Sequence, residues 1–173
     1  MSLKFVLDSD VFIRSHQDHY SFDFCPGFWD AIAAAHLSGL ITSILPVKDE
    51  LLKGDDILCQ WAKVQPDTFF PPTDDPDVIE AFKKVAEYVN GHQQYQSGGK
   101  AKFLGGADPF LIAFSMINSC EIITHEASAP LSQSKVKLPD IASHFGIECH
   151  RPYKMIREIS ARFCLETDES DLF

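Results

Sequence analysis

The chain has 173 residues, of which 45% are hydrophobic and 12% aromatic, and its formal net charge is −10. This composition excludes a disordered chain, and the acidic balance argues against a general nucleic-acid coat protein, which would carry a basic face. No apolar run approaches the roughly 20 residues of a membrane span. The apolar segment 3–7 is too short for a signal-peptide core, so we expect a cytoplasmic protein.

The predicted strands and helices alternate along the chain. Strands are predicted at residues 4–7, 40–44, 121–124 and 147–149, and residues 69–73 are expected to form a short strand followed by a proline turn. Helices are predicted at residues 28–37, 46–52, 55–64 with Asp55 as N-cap, from Pro76 onward, from Pro109 with Asp108 as N-cap, 140–145 and 153–163. The alternation predicts an α/β fold with a parallel sheet that is covered on both faces.

The remaining segments complete the predicted organisation. Residues 96–106 hold two Gly-Gly pairs and are predicted to form a loop. With no repeat and no long linker, we expect one domain over residues 1–165 and a frayed acidic tail over residues 166–173. The five cysteines are scattered, odd in number and without a CxxC pair, which indicates reduced thiols rather than a zinc site or disulfides.

Four acidic residues follow or flank the predicted strands in a way that would bring them together. Asp8 ends the first strand, Glu50 lies in the helix after the second, Asp108 opens a buried helix, and Glu126 follows the third strand. Sites in open α/β sheets form at the carboxyl ends of strands. Carboxylates placed close together raise one another's pKa unless a cation neutralises them, and oxygen ligands suit Mg²⁺ or Mn²⁺. The sequence therefore predicts a divalent metal site.

Each of these acids also has an ordinary structural explanation. Asp108 before Pro109 would serve as a helix N-cap, and Glu50 or Glu126 alone would be a solvated carboxylate. Asp49 competes with Glu50, but neighbouring helix residues point about 100° apart, so only one of them can face the site. The joint occurrence of the four acids favours the metal site.

The same residues carry a resemblance to a known family. The segments VLDSDVFI, VKDEL, ADPFLIAFS and IITHE resemble those of PIN domains, metal-dependent ribonucleases that include the VapC-type toxins, and the resemblance spans about residues 3–150. SFDFCPGFWD, LKGDDILCQWA and VKLPDIASHFG resemble a less-characterised PIN-like branch. The resemblance implies a three-layer α/β/α sandwich, with Asp8, Glu50, Asp108 and Glu126 as catalytic, metal-binding acids.

Two positions depart from the usual pattern of that family. Asp10 stands where PIN domains usually carry Asn, Ser or Thr, and it would add negative charge or support the site from behind the metal ligands. Glu126 stands where Asp is usual, so its longer side chain would reach a metal through a water.

Further polar residues are candidates for supporting roles. Ser9 and Thr124 would orient the acids or a water, or simply pack at strand ends, and His125 would touch phosphate or lie exposed. Lys100 and Lys102, with Lys135 and Lys137, would grip an RNA backbone or only add solubility. Arg14, His16 and His19 form a polar cluster that is either solvated or in contact with substrate. The aromatic residues Phe22, Phe24, Phe28 and Trp29 are more readily explained as core than as base-stacking side chains.

The leading hypothesis from the sequence is an Mg²⁺- or Mn²⁺-dependent endoribonuclease. By resemblance it would be the toxin of a type II toxin–antitoxin pair, with RNA as substrate, a cognate antitoxin protein as partner, and homodimers possible. One alternative is a haloacid-dehalogenase-type phosphatase with Asp8 as nucleophile and Asp10 as acid, although the lysine and distal acidic pair of that superfamily are not evident. Another is a PIN-like module that binds RNA or protein without cutting.

Overall fold

The centre of the molecule is a four-stranded parallel sheet, seen in a computed structural model that describes residues 3–164. The strands are β1 (Phe5–Leu7), β2 (Ile41–Thr42), β3 (Glu121–Ile123) and β4 (Cys149–His150), in the order β2-β1-β3-β4. Phe5 pairs with Ile41 on one side and with Glu121 on the other, and Ile122 pairs with Cys149. The predicted parallel sheet is confirmed.

Helices cover both faces of this sheet, which gives the three-layer α/β/α fold that the sequence predicts. The α-helices of the described chain are α1 (Ser9–Arg14), α2 (Pro26–Leu37), α3 (Leu45–Leu51), α4 (Ile57–Val64), α5 (Pro76–Gly91), α6 (Ser97–Leu104), α7 (Asp108–Asn118), α8 (Leu138–His144) and α9 (Pro152–Glu158). A π-helical turn (Ser15–His19) continues α1. Parallel strands need such crossover helices, because a short turn cannot return the chain to the same end of the sheet.

The sheet and the buried helix α7 form the core that positions the edge of the sheet. All three residues of β1 are at most 1% exposed, as expected for a strand that is covered on both faces. Leu111 and Ile112 of α7 are fully buried, and α5 packs along this helix. Close packing of this kind fixes the ends of β1 and β3 and the start of α7 relative to one another.

Several predicted helix ends are confirmed by their caps. Asp75 accepts a hydrogen bond from the backbone N–H of Asp77, with Pro76 in the first turn of α5. Gly39, just beyond α2, has a φ of 73°, a left-handed conformation that glycine adopts without strain. The N-cap of α4 is Asp56, whose carboxylate accepts from Cys59 N–H, rather than the predicted Asp55.

The structure corrects three predictions of secondary structure. Residues 96–106 are not a loop but mostly helix α6. Residues 69–73 form no strand, although the carbonyl oxygens of Phe69 and Pro71 accept hydrogen bonds from the chain around β2. The final helix ends at Glu158, well before residue 163. Local propensity was overridden by tertiary packing in the glycine-rich segment.

Other expectations concern the whole chain. The predicted acidic tail at residues 166–173 lies outside the described residues. All five cysteines are free. Between residues 3 and 164, no helix is long and apolar enough to cross a membrane.

Candidate active site

Five carboxylates gather where β1 and β3 end. We call Asp8, Asp10, Glu50, Asp108 and Glu126 the acid cluster. They come from five separate positions of the chain: the end of β1, the first turn of α1, the last turn of α3, the start of α7 and the segment after β3. Their charges act on one another, because the pKa of Asp8 is raised by Asp10 and Asp108, and that of Asp108 by Glu126, Glu50 and Asp10. The predicted convergence of the acids is thus present in the fold.

Asp8 is the most deeply placed acid of the cluster. It is 6% exposed and directly follows the buried β1, and its backbone N–H extends the sheet by donating to Ile123 at 3.0 Å. One carboxylate oxygen accepts from the N–H of Ser9 at 2.6 Å and the other from the hydroxyl of Thr124 at 2.8 Å. Burial raises the pKa of Asp8 well above its usual value, and the charges of Asp10 and Asp108 raise it further.

Thr124 and Asp10 connect the region around Asp8 to the segment that follows β3. The Thr124 hydroxyl, 1% exposed, donates to Asp8 and accepts from the backbone N–H of Glu126 at 3.0 Å. Both oxygens of Asp10 accept from the backbone N–H of His125, at 2.9 and 3.0 Å. Asp10 is therefore a carboxylate with a fixed position that supports the turn after β3 and adds negative charge beside Asp8.

Helix α3 directs the side chains of Glu50 and Asp49 to different sides. Asp49 is exposed, whereas Glu50 is half-buried and its Oε1 accepts from the backbone N–H of Ala107 at 3.0 Å. Ala107 is the N-cap residue of α7, so Glu50 ties α3 to the start of that helix. Between the two candidates in the sequence, the fold turns Glu50 toward the acid cluster.

Asp108 is the acid whose local role differs from the prediction. It is the first residue of α7 and not its N-cap, which is Ala107 in a helical conformation and without a capping side chain. No hydrogen bond from the described residues holds the Asp108 carboxylate, which leaves its oxygens to the cavity described below. Burial first, and then the charges of Glu126, Glu50 and Asp10, raise the pKa of Asp108 to about 7.

Glu126 is held by two donors from the chain around α8. Lys137 Nζ lies 2.7 Å from Oε1, and the backbone N–H of Leu138, the first residue of α8, donates to Oε2 at 2.7 Å. Both oxygens are therefore engaged within the protein. Glu126 faces the cluster but already has a structural role at the start of a helix, where its negative charge is favourable.

A cavity of about 300 Å³ opens beside these acids. Its polar lining combines three carboxylates of the cluster with three lysines, namely Glu50, Asp108, Glu126, Lys102, Lys135 and Lys137. Lys100 turns away, with its ammonium group donating to the carbonyl oxygen of Asn90 at 2.8 Å. Carboxylates and ammonium groups side by side suit a ligand that carries both a bound cation and negative phosphates.

One wall of this cavity depends on a glycine. A Cβ atom on Gly99 of α6 would lie 2.6 Å from the carbonyl oxygen of Ser134, so only glycine allows this helix to approach the backbone of the lysine-bearing segment. Gly98, its neighbour, faces open space. The Gly-Gly pair that predicted a loop instead marks a close contact between two chain segments.

The donor set of the acid cluster fits a hard divalent cation. Its side-chain ligands are all carboxylate oxygens, which Mg²⁺ and Mn²⁺ prefer, and the oxygens of Asp108 are free of protein donors within residues 3–164. In that same range, no three of these acids place ligand atoms within 4.8 Å of one another. Side chains such as Glu50 and Glu126 would have to rotate, or to bind through water, to complete a coordination sphere.

A second group of charged residues meets that spacing. We call Glu121, Glu148, His150 and Lys154 the paired cluster. The ligand atoms of its glutamates and histidine lie within 4.8 Å of one another. Lys154 Nζ lies 2.7 Å from Glu121 and 2.8 Å from His150 Nε2. An ammonium group therefore already contacts two of these three side chains, and Glu148 lies 3.0 Å from His150 Nε2.

Two neighbours of the acid cluster were not evident from the sequence. Burial and then the charges of Asp8, Glu126 and Asp108 raise the pKa of the Cys149 thiol to about 12, so this cysteine lies beside the acids as an unreactive thiol. The guanidinium of Arg151 donates to the carbonyl oxygen of His125. Burial lowers the pKa of His125. The charge of Asp10 raises this pKa, whereas the charges of Arg14, His19 and Arg151 lower it further. Nothing local in sequence marks these tertiary contacts.

The fold and the site define an α/β protein with an acidic centre at the carboxyl edge of its parallel sheet. Comparison with known families assigns the chain to one of them: it belongs to the family described as a domain of unknown function, DUF4411, which matches residues 5–163. No curated protein and no solved structure was found to match the chain.

Proposed function

We propose that this protein is an Mg²⁺- or Mn²⁺-dependent endoribonuclease of the PIN class. The observation that carries the proposal is the convergence of five carboxylates, from four parts of the chain, beside a cavity that three of them line together with lysines. Structural ion-pair networks usually balance their charges, whereas this group contains five acids and, among residues 3–164, is in contact with a single lysine.

Asp8 and Asp108 are the central cation ligands in this proposal. A bound Mg²⁺ or Mn²⁺ supplies a water of lowered pKa and neutralises negative charge on a phosphate. Burial and mutual repulsion disfavour the ionised forms of these two acids in the absence of a cation, so ligation relieves an electrostatic cost. Thr124 and Ser9 orient Asp8, and Asp10 supports the turn that carries Glu126.

Glu50 and Glu126 complete the acidic face, and the lysines receive the phosphate backbone. Glu126 is held at 2.7 Å by Lys137 and by the N–H of Leu138, which favours a contact to the cation through water. Lys102 and Lys135 line the same cavity without an ion pair among residues 3–164, and their ammonium groups are suited to phosphates next to the scissile bond.

The biological setting of the proposal comes from the family resemblance. A cytoplasmic toxin of a type II toxin–antitoxin pair would be held inactive by a cognate antitoxin that covers the acid cluster, and by the same resemblance it would form homodimers. A small antitoxin gene next to the coding sequence would support this setting, and its absence would favour a ribonuclease with another role.

The test is cleavage by purified protein. With Mn²⁺, we expect the protein to cut a mixture of structured and unstructured RNAs, and we expect Asp8→Asn to stop this cleavage. Glu148→Gln is the matched control, because it removes a carboxylate charge from the paired cluster and should leave cleavage unchanged. Intact RNA with the parent protein, or equal cleavage by Asp8→Asn, would falsify the proposal.

The two alternative functions, a phosphatase and a module that only binds, predict different results with the same purified protein. A phosphatase would turn over a small phosphate ester and leave a trapped aspartyl-phosphate on Asp8. A module that only binds would show no divalent-ion binding by calorimetry and no cleavage of any substrate.

A further inference from the structure

A row of rings extends from the acid cluster across the surface. We call His125, His19, Tyr20 and Phe163 the ring strip. The rings of His125 and His19 are 5.6 Å apart, those of His19 and Tyr20 6.1 Å, and those of Tyr20 and Phe163 5.7 Å, each measured between ring centroids. The strip begins at the site itself, because the backbone N–H of His125 donates to Asp10.

The ring strip is available to a ligand and is held in place from below. His19 is exposed, Phe163 is 40% exposed, and His125 and Tyr20 are half-buried. Underneath, the ring of Tyr20 stacks on the buried Phe28, with centroids 4.5 Å apart and an angle of 9° between the planes. Phe28 thus supports the Tyr20 end of the strip, and the neighbouring rings of the strip are tilted by 33° to 62° relative to one another, so each ring presents its own face.

Positive charge accompanies this surface. Arg14 and Arg151 both lie close enough to His125 to lower its pKa, and the guanidinium of Arg151 donates to the His125 carbonyl oxygen. Arg14 has one exposed partner, Asp18, at 3.4 Å, and an exposed pair of this kind contributes little and can open for a phosphate. A surface with ring faces and guanidinium groups is complementary to a base-bearing polyanion.

We infer that the ring strip is a base-stacking platform for unpaired nucleotides of the RNA that enters the acid cluster. This inference rests on the proposed function for the direction of the strand, and it adds the surface that holds the bases of the strand. Bases of a single strand present their faces, whereas those in a duplex are already stacked, so a row of rings selects unpaired nucleotides. Arg14 and Arg151 contact the phosphates between the stacked bases.

Binding measurements test the inference without relying on cleavage. All proteins carry Asp108→Asn, which removes a proposed cation ligand and one negative charge, so that probes stay intact. The probes are a fluorescent 12-nucleotide oligoadenylate RNA, the same strand in a duplex, and an abasic strand of equal length, measured by polarisation. We expect the double variant His19→Ala with Phe163→Ala to bind the single strand about tenfold more weakly, given the size of base–aromatic stacking.

Two controls separate stacking from folding and from charge. His19→Phe keeps a ring and should bind the single strand as the background protein does. Leu131→Ala changes a side chain that is 90% exposed and should also have no effect. Binding of the duplex and of the abasic strand should be unchanged in every variant, because neither probe offers free base faces.

The outcomes also distinguish this inference from the proposed function. Single-strand binding that is unaffected by the double variant, an equal loss for the abasic strand, or no single-strand binding by the background protein would overturn the inference. If the native protein fails to cut RNA while ring-dependent binding persists, the ribonuclease proposal fails and the stacking platform stands.

Discussion

The acid cluster and the paired cluster both contain several carboxylates, but they differ in whether a cationic side chain of the protein neutralises the deeper ones. In the paired cluster, Lys154 lies within 2.8 Å of both Glu121 and His150, so the protein itself supplies the cation. In the acid cluster, Lys137 engages Glu126, but the donors to the Asp8 carboxylate within the described residues 3–164 are the neutral groups of Ser9 and Thr124. The deeper acids are left with raised pKa values.

This difference shows that the spacing of ligand atoms is not by itself a sufficient criterion for a metal site. The ligand atoms of the paired cluster lie close enough together for a metal site, yet an ammonium group already contacts two of the three side chains. The acid cluster is wider, yet only Glu126 of its five acids is paired with a lysine within residues 3–164, and Glu50, Asp108 and Glu126 line a cavity. Uncompensated buried charge is the better indicator of a cation site, because it is the feature that a structural ion-pair network removes.

The largest effect that separates the two clusters should be on catalysis. We expect Asp108→Asn to lower RNA cleavage at least about a thousandfold, since metal-ion catalysis supplies several kcal/mol of barrier lowering. Glu121→Gln, in the paired cluster, should change cleavage by no more than about twofold. Initial rates with Mn²⁺ measure both, and equal losses in the two variants would remove the distinction between the clusters.

A packing change should break the cavity of the acid cluster while leaving its charges in place. Gly99→Ala places a methyl group 2.6 Å from the Ser134 carbonyl oxygen, and we expect a loss of about 1–3 kcal/mol in the free energy of unfolding from overpacking. Gly98→Ala is the matched control, with nothing within 4 Å, and should be neutral or stabilising by up to about 1 kcal/mol. Urea denaturation compares them; equal stability of the two variants would contradict the close contact.

The pH dependence of stability should identify Asp108 as an uncompensated acid. Its pKa is raised from 3.8 to about 7, so within that window the folded state binds more protons than the unfolded state. The free energy of unfolding in a chelator should therefore fall as the pH rises through the window. Asp108→Asn should show a shallower fall, and it should be the more stable protein near neutral pH.

Thermal unfolding at several pH values measures this effect. Added Mn²⁺ should raise the melting temperature of the parent protein at neutral pH more than that of Asp108→Asn, because binding to the folded state stabilises it. Parallel pH profiles for the two proteins would show that Asp108 does not titrate in this window.

The smallest effect should come from the paired cluster. We expect Lys154→Met to lower the free energy of unfolding by less than about 1 kcal/mol, because its side chain and that of Glu121 are each about one-third exposed and water screens the pair. Cleavage should be unaffected. A strong gain of Mn²⁺ binding by this variant, measured by calorimetry, would mean that the lysine alone distinguishes the two clusters.

Much of the fold follows from patterns that are local in the sequence. β1 is an apolar run ended by Asp8, and α5 begins at Asp75-Pro76 with its apolar residues on one face, so both were predictable. Helix α6 was not, because Gly98 and Gly99 weaken helix propensity, and the contact that requires Gly99 lies 35 residues away at Ser134.

The acidic residues of the site were predictable from the sequence, whereas the groups that hydrogen-bond to them were less so. Asp8 was identifiable because it directly follows an apolar strand. Helix geometry showed that only one of Asp49 and Glu50 could face the site. The donors that hold Glu126, namely Lys137 and the N–H of Leu138, are brought to it by the fold of the intervening loop, which no short motif encodes. The ring strip likewise joins segments from three parts of the chain.

The carboxylates of Glu50 and Glu126 each accept a hydrogen bond from the first turn of a helix, at Ala107 of α7 and Leu138 of α8. Those two amide groups would otherwise be among the unpaired donors that allow a helix start to fray. Turning either glutamate inward to reach a cation would release its amide to solvent. In the proposed metal enzyme, binding of the cation and local opening of the two helix starts would therefore be linked equilibria, and binding would be visible in the hydrogen exchange of these two backbone amides.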